Sequence, residues 1–235
     1  LVFRGEDKLV RRVSHAELVS GASRVAAALK AQGVAAGDRV AAYVANVPEA
    51  IIAMLGATSL GAVWSSCSPD FGVQGVLDRF GQIEPKVLVT VDAYWYNGKA
   101  IPMGDKVAEI AAKLPTVERV VVIPYLGGAA GPGDLSRIRG AVSWDTFLAP
   151  HAAGPIDYVE LPFAHPLYVG HDRRAQVHRP RCRRHAAAAP EGAPAARRRE
   201  ARGPAVLLHD LRLDDVELAG LGAGRRCDAA ALRRF

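Results

Sequence analysis

Cysteine is scarce in this chain of 235 residues: Cys67, Cys182 and Cys227 stand far apart and in an odd number. That excludes a disulfide framework and the paired spacing of a zinc site, leaving reduced thiols in the cytoplasm as the expectation. The start, Leu1 to Lys8, has no initiator Met, no basic region and no apolar stretch. It does not read as a signal peptide, and the missing Met predicts a truncated N-terminus. No apolar run approaches the length of a membrane span. The most uneven scarcity begins after Tyr168: Val169 to Phe235 contains no Lys, Ser, Thr, Asn, Ile, Met, Trp or Tyr, although residues 1–168 use all of them.

Charge breaks at the same place. Residues 1–168 carry 15 Lys+Arg against 16 Asp+Glu, while residues 169–235 carry 15 against 8, every basic one an Arg. The overall net charge of +6 therefore belongs to the tail, and the nearly neutral first part suits a small-molecule enzyme or a structural domain. Half of all residues are apolar, so length and composition allow a core. The composition predicts two regions, residues 1–168 and residues 169–235.

Ser14-His15-Ala16-Glu17 has the spacing of a capping box, and the apolar residues from Leu18 to Leu29 recur at helical intervals up to Gly33. Arg39 to Ala45 reads as a buried strand, and Pro48 opens a largely apolar helix that closes at Gly61. The unit then repeats, with a strand at Ala62–Ser65, a helix at Phe71–Ile83 and a β-branched strand at Lys86–Val91. A helix at Pro102–Leu114, a strand at Val117–Ile123, a loop at Gly127–Gly133 and a helical turn at Trp144–Leu148 follow. Strands alternating with helices predict an α/β fold, an open and mostly parallel sheet with helices on both faces. Pro166-Leu167-Tyr168 starts another strand, and there the pattern stops. The tail's apolar content is mostly Ala, which buries too little area to offset ordering entropy, so an irregular, disordered tail is expected.

Several linked motifs carry a resemblance. Gly37 to Val44, Asn46-Val47-Pro48-Glu49 and Ala57 to Gly72 resemble the N-terminal domain of the adenylate-forming acyl-CoA synthetases. The string Trp64-Ser65-Ser66-Cys67-Ser68-Pro69-Asp70-Phe71-Gly72 is the sharpest marker. With Val76 to Phe80, Gln82 to Lys86 and Tyr96-Asn97-Gly98-Lys99, it resembles the acetoacetate-activating branch of that family. The resemblance implies part of that family's large N-terminal domain, with acetoacetate as substrate and ATP, coenzyme A and Mg as cofactors. Such enzymes form an acyl adenylate and pass the acyl group to the coenzyme A thiol. The resemblance further implies that Lys99 contacts the 3′-phosphate of coenzyme A, with Tyr96, which stands where relatives carry a basic residue, as a second candidate.

The family also needs a glycine-rich, hydroxyl-rich loop with a lysine to hold the triphosphate, soon after the strand beginning near Pro166. Here the chain has Val169-Gly170-His171-Asp172-Arg173-Arg174-Ala175-Gln176 instead, and no ATP-binding, catalytic or metal-ligating residue is assigned. Read one nucleotide on, the codons for His171 to Gln176 can spell Thr-Thr-Gly-Val-Pro-Lys, which resembles the end of that loop. In the same shifted frame Leu211 to Leu218 can spell Cys-Gly-Trp-Met-Met-Trp-Asn-Trp, similar to the family's substrate-pocket segment. Two motifs in one register, correctly ordered, point to a frameshift close to Tyr168 and to a chain without synthetase activity, missing also the family's C-terminal domain.

Other residues invite alternatives. Cys67 could be a nucleophile, but His15 is the nearest histidine in sequence and lies on a helix, so a turn of small residues at a strand end is expected. Asp70 and Asp78 could be acid/base groups; the expectation is that Asp70 caps the helix carrying Asp78 and Arg79, whose charges are solvated or paired. The Arg clusters Arg173-Arg174, Arg181–Arg184 and Arg197–Arg202 could bind nucleic acid, yet no aromatics or Lys are interleaved with them. Cys182, His178 and His185 are close in sequence but want a further ligand for zinc. A non-catalytic coenzyme A-binding remnant and an Arg-tail nucleic-acid binder thus stand as alternatives to a synthetase fragment. Nothing in the sequence indicates an oligomeric state.

Overall fold

The structure, a computed structural model, describes residues 1–6, 9–126, 133–171 and 175–178. These residues belong to one compact unit. Most of the expected loop at 127–133, residues 172–174 with Arg173-Arg174, and the tail from 179 onward with its other Arg clusters and Cys182, Cys227 and His185, lie outside the described residues.

The chain begins with a hairpin, β1 (Val2–Gly5) and β2 (Leu9–Arg12), which enters α1 (His15–Ala31). Ser14 caps α1 as its spacing predicted: its Oγ accepts from the Glu17 N–H at 3.2 Å, and Glu17 accepts from the Ser14 N–H at 2.7 Å. Next come β3 (Arg39–Tyr43), α2 (Pro48–Ser59), β4 (Val63–Cys67), α3 (Val73–Phe80) and β5 (Val87–Val91). A second hairpin, β6 (Ala93–Tyr96) and β7 (Lys99–Pro102), precedes α4 (Gly104–Lys113) and β8 (Arg119–Ile123). The remaining elements are β9 (Ala141–Ser143), α5 (Trp144–Leu148), β10 (Tyr168–His171) and β11 (Ala175–His178).

Seven strands form one sheet in the order β11-β10-β4-β3-β5-β8-β9, of which the six from β10 to β9 run parallel. The expected mixed-face α/β sheet is therefore present. The chain moves from β3 through α2 to β4, then crosses back over β3 through α3 to β5. Right-handed crossovers in opposite directions place α2 on one face and α3 on the other. Accordingly α1, α2 and α5 pack together, and α3 pairs with α4. All five residues of β5 are buried, as a central parallel strand covered on both faces requires.

Three differences from the sequence reading have physical reasons. The predicted helix 71–83 is confined to Val73–Phe80, because the Phe71 carbonyl is taken by the Tyr43 hydroxyl at 2.5 Å and Gly81 closes the helix. Asp70 does not cap it; Gly72 occupies the cap position with no side-chain hydrogen bond. Strand pairing also continues past Tyr168, where the pattern was expected to stop. Trp64 N–H donates to Leu167 O at 3.0 Å, Ser65 Oγ donates to Val169 O at 2.9 Å, and β11 returns antiparallel on β10. Ladder bonds use the backbone alone, so an open sheet edge accepts extended chain whatever its side chains.

Candidate functional site

In an open parallel sheet, ligands gather beyond the carboxyl ends of the strands where the winding direction reverses. Here that place lies between β3 and β5. Tyr43, the last residue of β3, is buried at that end of the strand. Its phenol sits 3.0 Å from Pro69 O and 2.5 Å from Phe71 O, and its own carbonyl accepts from Thr90 Oγ1 at 2.9 Å. Burial, with Cys67, Tyr94 and Asp70 nearby, pushes the Tyr43 phenol far above its ordinary value of 10, so it stays protonated and serves as a strut.

The hairpin of β6 and β7 stands at this carboxyl edge, directly after Asp92 ends β5. Its tip is Asn97-Gly98, both in the left-handed region with φ of 51° and 75°. That is the geometry of a two-residue turn whose twist matches the flanking strands, and Asn-Gly suits it because both residues tolerate positive φ. Register pairs Tyr96 with Lys99 across the turn, so the two sequence-selected residues lie side by side. Both are exposed, Tyr96 at 57%, and Lys99 forms no ion pair among the described residues.

The hairpin is held at its base and at its tip. At its base Asp92 Oδ1 accepts from the Ala93, Tyr125 and Leu126 N–H groups at 2.7, 2.8 and 3.1 Å, joining the ends of β5 and β8. Along β6, Tyr94 lies near Asp70, which accepts from Ser68 Oγ at 2.9 Å; burial and that carboxylate push the Tyr94 phenol up to about 12. Asp70 thus bonds within the turn after β4, near the hairpin, in place of the expected helix cap. At the tip Glu6 Oε1 accepts from Asn97 N–H at 2.6 Å and Glu6 Oε2 from Gly98 N–H at 2.8 Å.

Cys67 ends β4 as expected, buried, with its thiol pushed up to about 12 by burial against a smaller opposing effect of the Arg79 charge. Asp78 accepts from Gln74 Nε2 at 2.7 Å. Arg79 stacks 4.0 Å over the Phe71 ring and donates to Gly75 O at 2.7 Å. Among the described residues no three His, Cys, Asp or Glu side chains converge to hold a metal, and no helix is long and apolar enough to cross a membrane.

Glu6 and Asp92 escaped the sequence reading. No local window signals either, because Glu6 acts on an amide 91 residues away and Asp92, besides its neighbour Ala93, on those of Tyr125 and Leu126. The Asn97-Gly98 dipeptide did carry a hairpin signal, which had served only as a family marker.

The sheet, its winding and the edge hairpin define a class, and comparison with known proteins agrees: residues 2–145 match the family model of the AMP-binding enzymes, and the chain belongs to that family. Within it, the chain is 50% identical over 171 residues to the acetoacetyl-coenzyme A synthetase of Rhizobium meliloti, and 44% over 168 residues to the acetoacetyl-CoA synthetase of Macaca fascicularis. These alignments cover 72% and 70% of this chain but 25% of each relative. The solved acetoacetyl-CoA synthetase of Streptomyces lividans superposes with a TM-score of 0.64 at 43% identity, over 72% of this chain and 25% of that one. The chain therefore spans about a quarter of the length of the relatives it matches.

Proposed function

We propose that residues 1–168 derive from an acetoacetate–coenzyme A ligase and that this chain does not itself carry out the ligation. The observation supporting the first half is the 50% identity to the Rhizobium meliloti synthetase over 171 residues. In the reaction so assigned, a carboxylate oxygen of acetoacetate attacks the α-phosphorus of ATP and pyrophosphate leaves. The coenzyme A sulfur then attacks the acyl carbon of the adenylate, and AMP leaves. Mg offsets the charge of the triphosphate, and the cytoplasm is the proposed setting.

The second half rests on the missing triphosphate loop. Residues 169–176 contain one glycine, Gly170, and no Ser, Thr or Lys, so the glycine-, hydroxyl- and lysine-bearing string that holds a triphosphate in the family is missing from the sequence there. No step through ATP or Mg is assigned to this chain. The frame change near Tyr168 accounts for the loss and for the division into residues 1–168 and 169–235.

Coenzyme A fits better. Lys99 offers a cation with no ion pair among the described residues, beside the exposed Tyr96 ring, a combination that suits a phosphate next to a purine. A retained coenzyme A contact at this hairpin is the residual function we assign. Purified chain supplied with acetoacetate, ATP, Mg and coenzyme A is expected to release no pyrophosphate, and acetoacetate-dependent release overturns the inactivity. Calorimetric titration with coenzyme A tests the residual function, which a flat thermogram at millimolar ligand removes.

A further inference from the structure

The tip of the second hairpin carries two consecutive backbone N–H donors, Asn97 and Gly98, and both point at one side chain. Glu6 receives them on separate oxygens at 2.6 and 2.8 Å. Charge-assisted bonds of that length are among the stronger ones available to a backbone amide. Glu6 itself sits in the turn of the first hairpin at φ of 43°, a region that costs a non-glycine residue energy and persists where surroundings hold it. The hairpin it belongs to is seated independently. The Phe3 ring meets Tyr125 edge-on with centroids 6.0 Å apart, and Arg11 pairs with the buried Glu49 at 2.7 Å. Tyr125 N–H in turn donates to Asp92, the residue at the base of the second hairpin.

We infer that Glu6 is a positioning residue: its carboxylate clamps the Asn97-Gly98 turn and so sets Tyr96 and Lys99 before a ligand arrives. This rests on the assignment of coenzyme A to that hairpin for its functional consequence, though not for the clamp itself. The two strands of the hairpin project from the sheet edge, and β7 is exposed for most of its length. Without the clamp the tip depends on the ladder bonds and on contacts further down the two strands, and an isolated two-stranded hairpin is marginal in water. Ordering Lys99 and Tyr96 would then fall on the binding step. Glu6 does not touch the ligand in this scheme; it lowers the ordering cost.

Amide exchange and calorimetry on the full chain separate the parts. In Glu6→Ala, exchange at Asn97 and Gly98 is expected to quicken about tenfold, the scale of one lost hydrogen bond, with β3 and β5 amides unchanged. Coenzyme A affinity is expected to weaken roughly fivefold, the size of ordering one or two side chains on binding. Glu6→Gln keeps one carbonyl acceptor and should recover part of both effects, which a merely structural loss would not show. Unchanged exchange at Asn97 and Gly98 in Glu6→Ala overturns the clamp. Quickened exchange with unchanged affinity, while Lys99→Ala weakens binding, overturns the link to the ligand. If the unsubstituted chain binds no coenzyme A, the assignment of that ligand fails, and exchange still decides the clamp.

Discussion

Cys67 shows how a residue's chemistry depends on where its strand ends. It stands among three serines, Ser65, Ser66 and Ser68, a setting that on paper could host a nucleophile. Burial raises its thiol to about 12, so the thiolate that reacts is absent at neutral pH. Iodoacetamide at about pH 8 should leave the Cys67 peptide unmodified in native protein and alkylate it in urea, read by mass spectrometry. Asp38 is the opposite case. Burial favours its protonated form, but hydrogen bonds from Lys86 Nζ and Ala35 N–H, both at 2.8 Å, and the charges of Lys86 and Arg39 outweigh it and hold the carboxyl below its ordinary 3.8. A carboxyl depressed in the fold contributes stability above its unfolded value and loses it as pH falls through the folded value. Urea midpoints should therefore decline as pH drops below 3.8, and Asp38→Asn should decline less steeply. Glu17, lowered by its Ser14 hydrogen bonds, keeps part of the slope in that variant.

Between elements, contact distance is set by the residues that are small. α1 and α2 approach closely at Gly56, where a methyl group would stand 2.6 Å from Val25 Cγ1 and 2.9 Å from Ala22 O. One of those neighbours is backbone and cannot swing aside. Gly56→Ala is expected to cost about 1–3 kcal/mol despite better helix propensity, because overpacking displaces one helix from the other. Urea unfolding monitored by circular dichroism would show it; equal or greater stability would mean that the helices can part cheaply. The same scale explains which elements were legible. α1 announced itself through its capping box and apolar period, and α5 through Trp144 to Leu148, since both signals lie within a few residues. The N-terminal hairpin and β9 carried no comparable local signal, and their pairing partners are supplied by packing.

At the scale of the molecule, the parallel sheet extends across the point where composition changes. β10 joins β4 through Tyr168 opposite Trp64, and its continuation pairs with β11 by backbone bonds. A frame change at this position would leave the sheet's edge able to accept the altered chain while removing the side chains that chemistry needs. Sequencing the gene across codon 168 tests this. A run of codons that spells the glycine-hydroxyl-lysine string one base on is expected, and an uninterrupted frame with no such string in any register would overturn it.

Sequence by itself determined the class of fold, the order of most strands and helices, the family and the break after Tyr168. Those are properties of periodicity, linked motifs and composition, which are local or additive along the chain. Tertiary structure alone decided that Asp70 accepts from Ser68 instead of capping α3, that Asp92 gathers three amides and that Glu6 grips a turn 91 residues away. Such contacts join backbone groups whose identity the sequence does not vary, so only the folded path of the chain brings them within bonding distance.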